Sequence, residues 1–82
     1  MDDPTILFDQ AVEAFTRLGG LFNHFALTAV NDDDRVFWDT QLRKLYALRR
    51  QLPISDAKKL REYIDAWSAE EHRLSQLSVR IA

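Results

Sequence analysis

The chain has no cysteine, two glycines, two prolines and one methionine among its 82 residues. Without cysteine there are no disulfides, no thiolate zinc sites and no thiol catalysis. So few glycines and prolines exclude a β fold built on tight turns. A long hydrophobic run is missing too. The most apolar stretch, Leu18 to Val30, is too short to span a bilayer and carries Asn23 and His24. The opening Met1-Asp2-Asp3-Pro4 is acidic, unlike the basic start of a secretory signal, so the expected compartment is the cytoplasm and no membrane is expected as a partner. Neither sign of charge dominates: 11 Lys and Arg stand against 13 Asp and Glu.

What remains is helical periodicity. At 46% hydrophobic and 29% charged, the composition is that of a folded chain, and its length fits one helical domain over 1–82. Asp3 can cap a first helix, with Pro4 in its first turn. A stripe then runs Phe8, Ala11, Phe15, Leu18, Phe22, Phe25, Ala29, alternating steps of three and four. Gly19-Gly20 interrupts the composition but not the phase, which predicts one helix over about 4–30. A break at the glycines would give a four-helix variant. Asn31 to Asp34 supplies a loop and capping acids for a second helix over about 33–52, with Trp38, Leu42, Leu45, Leu48 and Leu52 on one side. Pro53 stops it. Ser55 is the expected cap of a third helix over about 56–81, striped by Ala57, Leu60, Ile64, Trp67, Leu74, Leu77 and Ile81. The predicted fold is an all-α, three-helix antiparallel bundle running up, down and up.

Helix lengths carry a further expectation. The second helix is the shortest, so the first and third should overhang it at opposite ends. That leaves Phe8 and Ala11 uncovered at one end, and Leu74, Leu77 and Ile81 at the other, for a second copy to cover in a homodimer. One layer of the third stripe is filled by Glu70 or Glu71. Arg17, Asn23 or His24 can satisfy such an acid. The preferred reading is instead that the bundle ends near Trp67 and that the later apolar residues serve another chain. Both tryptophans are expected in the core, with Phe37 or Tyr63 in a docking patch.

Charge is segregated along the chain. Residues 1–42 sum to −6, residues 43–61 to +6 and residues 62–82 to −2. The basic set is Arg43, Lys44, Arg49, Arg50, Lys58, Lys59 and Arg61, around the turn between the second and third helices. The up-down-up path brings Asp2, Asp3, Asp9 and Glu13 to the same end, so an internal charge match is expected there, ahead of a protein-binding face and of a nucleic-acid face.

No constellation points to catalysis. Ser55, Ser68, Ser75 and Ser78 lack a nucleophile elbow, and the glycine pair lacks the Lys and Ser or Thr of a phosphate loop. Glu71 and His72 lie about 100° apart around a helix, wrong for two ligands on one ion. A half-buried His24 and a surface His72 are expected instead, with no metal and no cofactor. Together these features predict a non-enzymatic helical protein-interaction module, an adaptor, inhibitor or regulator, that self-associates as a dimer and binds a protein partner. The second reading is a small nucleic-acid-binding regulator using the basic set.

Overall fold

The structure is a computed structural model that describes residues 3–81, with side chains described through Leu77. Three helices follow one another: α1 (Pro4–Thr28), α2 (Asp32–Arg50) and α3 (Ala57–Ile81). Among the described residues there is no strand.

The local chemistry of the ends explains the boundaries. The Asp3 carboxylate accepts from the Thr5 amide at 2.9 Å, and Pro4 occupies the first turn, where its missing N–H costs nothing. Asn31 caps α2 by accepting from the Asp34 amide at 2.8 Å, and its own side-chain amide donates to the Asp34 carboxylate at 3.1 Å. Asp32, Asp33 and Asp34 then place negative charge in the first turn, and Arg49 and Arg50 place positive charge in the last, both favourable to the helix dipole. α2 ends at Arg50, two residues short of the expected Leu52. Pro53 forces Leu52 out of helical angles, and its side chain turns back into the core. For α3 the cap is Asp56 and not Ser55: the Asp56 carboxylate accepts from the Lys59 amide at 3.1 Å.

α1 is continuous through Gly19-Gly20, and neither glycine has a positive φ, so the break that would make a fourth helix is not formed. A Cβ on Gly19 would lie at ordinary contact, 3.6 Å from Leu45 and 3.7 Å from Leu42; one on Gly20 would meet nothing within 4 Å. No packing inside the chain requires either glycine.

α1 is the central element. It packs against both α2 and α3, whereas no Cα of α2 comes within 8 Å of one in α3 among the described residues. Rising numbers on α1 meet falling numbers on α2, as Phe8 with Arg49, Phe15 with Tyr46 and Phe22 with Trp38 show. They meet rising numbers on α3, in Phe15 with Trp67 and Arg17 with Glu71. A helix with two partners needs a wide apolar arc, and that is what α1 has. Leu7, Ala11, Ala14, Leu18, Phe22 and Ala26 are buried, and Phe8, Val12, Phe15, Leu21 and Phe25 are packed at their margins. Ala11 and Ala14 let a neighbouring backbone come close. The result is elongated, 45 × 24 × 14 Å, with a radius of gyration of 13.9 Å. A compact chain of this length would have about 12 Å.

This arrangement corrects the expected overhangs. α1 and α3 are both 25 residues long, and the Phe15–Trp67 and Arg17–Glu71 pairs set them side by side in register, so α3 does not overshoot. Ala11 and Leu74 are fully buried within this chain and cannot line an uncovered end. Phe8 is half-buried under the Arg49 guanidinium, 5.4 Å from its ring centre. Leu77 is partly exposed, and the side chain of Ile81 lies outside the described residues. The core does not stop at Trp67 either. Glu71 sits in the α3 stripe, and the Arg17 guanidinium donates to its carboxylate at 3.1 Å, so packing continues to Leu74. The acid is satisfied by Arg17 of the first helix, against the expectation that the bundle ends near Trp67.

Candidate docking surface

Because α2 and α3 both pack on α1 while their backbones stay more than 8 Å apart, Cα to Cα, a groove runs between them. Its floor is Leu18 and Phe22 of α1. One wall is Gln41, Lys44, Leu45 and Leu48 of α2, the other Trp67 and Glu70 of α3, with about 380 Å³ of open depression between them. Floor and walls are apolar except at Gln41, Lys44 and Glu70.

The walls continue along each helix. On α2, Phe37, Gln41, Lys44 and Leu48 follow steps of four, three and four, which is one helix face. On α3 the corresponding face is Lys59, Tyr63, Ala66, Glu70 and Leu77. Lys59, Glu62, Tyr63 and Ala66 line a smaller hollow there. Phe37, Leu48 and Leu77 are 52%, 38% and 38% exposed. Trp67 is the anchor of the wall: it is buried, and Tyr63 packs against it in a tilted arrangement at 5.1 Å between ring centres. Trp38 is only half-buried, packed on Phe25 at 4.8 Å and edged by Phe37 at 4.9 Å.

The register of the helix pairs brings specific residues level with each other across the groove. Lys44 and Glu70 both lie at the height of Arg17, and Phe37 and Leu77 lie about 10 Å nearer the end of α1, since seven residues separate each from the lower pair. Lys44 makes no ion pair among the described residues. Glu70 is held on its own helix by Arg73, whose Nε donates to it at 3.2 Å. That hydrogen bond, and the charge behind it, raise the Arg73 guanidinium above its ordinary pKa.

The basic set is arranged differently from the expectation. Arg43, Lys44, Arg50, Lys58, Lys59 and Arg61 are exposed, and Arg49 is half-buried over Phe8 and Phe15. Among the described residues, Asp3, Asp9 and Glu13 make no ion pair with Arg49, Arg50, Lys58 or Lys59, and Asp2 lies outside them. The expected internal match is therefore not formed there. Glu13 turns to Arg17 instead, at 4.0 Å. His24 is exposed, not half-buried, because it points away from the arc that α1 turns to its neighbours; His72 is exposed as well. No group of three or more His, Asp or Glu that could hold a metal occurs among the described residues. No described helix is long and apolar enough to cross a membrane.

The periodicity of the sequence assigns Leu48 to the buried stripe with Leu45, and so misses the groove. The signal for it is present in the 37, 41, 44, 48 spacing, but two polar members disguise the face as solvent-exposed. Comparison with protein-family models, with curated proteins and with solved structures returned no match.

Proposed function

We propose that this chain is a non-enzymatic protein-interaction module whose docking face is the groove between α2 and α3. The observation that supports it is the set of exposed apolar residues Phe37, Leu48 and Leu77 along the edges of α2 and α3, flanking a groove whose Leu18, Phe22, Leu45 and Trp67 are themselves buried. Apolar floors between two helices accept a third helical surface, with aromatic anchors supplying most of the binding energy. Site-specific photo-crosslinking tests the reading. A photoreactive residue at Leu48, in cells, is expected to yield covalent adducts with polypeptide, and the same residue at Glu13 on the far side of α1 is not. Absence of adducts at Leu48 contradicts it.

A second reading keeps the basic set in view, because Arg50, Lys58 and Lys59 are exposed and make no ion pair among the described residues. If they hold nucleic acid, affinity falls steeply with salt, and Arg50→Glu with Lys59→Glu abolishes it. Binding that survives the double substitution removes this reading.

A further inference from the structure

We infer that the occupant of the groove is a second copy of the same chain, related by a two-fold axis that runs parallel to the helices; this rests on the groove being a docking face. The argument is one of self-complementarity. A two-fold axis along the groove sets α2 of each copy against α3 of the other, at equal height. Lys44 then faces the partner's Glu70, and Glu70 faces the partner's Lys44, because the two residues lie level on opposite walls. By the same operation Phe37 meets the partner's Leu77, and Leu48 meets the partner's Ala66. A two-fold axis set across the helices would instead put Lys44 against Lys44 and Glu70 against Glu70, which like-charge repulsion disfavours.

Sedimentation equilibrium on the full chain, with helicity checked by circular dichroism, tests this. The wild type is expected at twice the 9.6 kDa monomer mass at micromolar concentration. Lys44→Glu and Glu70→Lys, each alone, bring like charges together twice and should raise the dimer dissociation constant at least about tenfold. Mixing the two variants should restore dimers, since every pair across the interface is again opposite in sign. The double exchange in one chain should do so as well. A monomeric wild type overturns the inference and leaves the docking reading to the crosslinking test. A dimer insensitive to both charge substitutions but dissociated by Leu48→Glu overturns the second-copy register while keeping the groove as docking face. A dimer that also survives Leu48→Glu overturns the inference and counts against the groove.

Discussion

The two helices that flank α1 are attached to it unequally. α3 buries Leu60, Trp67 and Leu74 and adds the Arg17–Glu71 bridge, whereas within α2 Leu45 alone is buried, supported by the half-buried Trp38 and Leu42. α2 holds on through ring contacts instead: Phe15 with Tyr46, Phe22 and Phe25 with Trp38, and Arg49 laid over Phe8. Such contacts contribute about 0.5–1.5 kcal/mol each beyond the area they bury. α2 therefore buries fewer of its side chains than α3 and leaves the outer Phe37 and Leu48 partly uncovered. It is the element whose exposed apolar residues a bound surface would cover.

That contrast can be broken from its strong side first. Leu74→Ala is expected to cost about 2–5 kcal/mol in denaturant unfolding, because the site is fully buried between α1 and α3. Trp67→Ala should cost about 3–5 kcal/mol on the same assay. A loss below 1 kcal/mol at either position would mean that α3 is not the anchored helix. On the α2 side, Leu48→Ala should change monomer stability by less than about 1 kcal/mol, since the side chain is already partly exposed. A large loss there would show that the groove is closed in solution. The α1 scaffold itself sharpens the comparison: Gly20→Ala, with open space around the new methyl, should stabilise by up to about 1 kcal/mol. Destabilisation would mean that another backbone approaches this turn. The smallest effect belongs to Glu71→Gln, which should cost less than about 1 kcal/mol because Arg17 is half exposed.

Much of this architecture can be read from residues alone, and the failures have physical causes. Asp3-Pro4, Asn31 and Pro53 mark three helix ends through capping and steric rules that act within a few residues. The in-phase stripe across Gly19-Gly20 predicts the continuous α1. Leu7 and Ala14 are not in that stripe, because a single-stripe reading assumes one partner, and α1 has two. The overhangs are misjudged for a related reason. Helix lengths alone do not say that the connector from Gln51 to Asp56 returns α3 to the start of α1, where Leu52 and Leu60 join Leu7 in one cluster. The spacing alone leaves the stripe acid as Glu70 or Glu71 and its partner as Arg17, Asn23, His24 or none within the chain, and only the α1–α3 register, which pairs Glu71 with Arg17, decides it. The groove is illegible for a different reason. It depends on how far apart the α2 and α3 backbones lie on α1, and no periodicity within one helix reports a distance between two others.

Amide hydrogen exchange, followed on α2 and α3 at low and high protein concentration, puts the central claim to its most direct test. An open face that closes on a second chain predicts fast exchange in α2 when dilute, with protection across residues 37–48 rising as concentration increases, while the α3 amides near Trp67 stay protected throughout. Protection of α2 equal to that of α3, and unchanged by concentration, would contradict it.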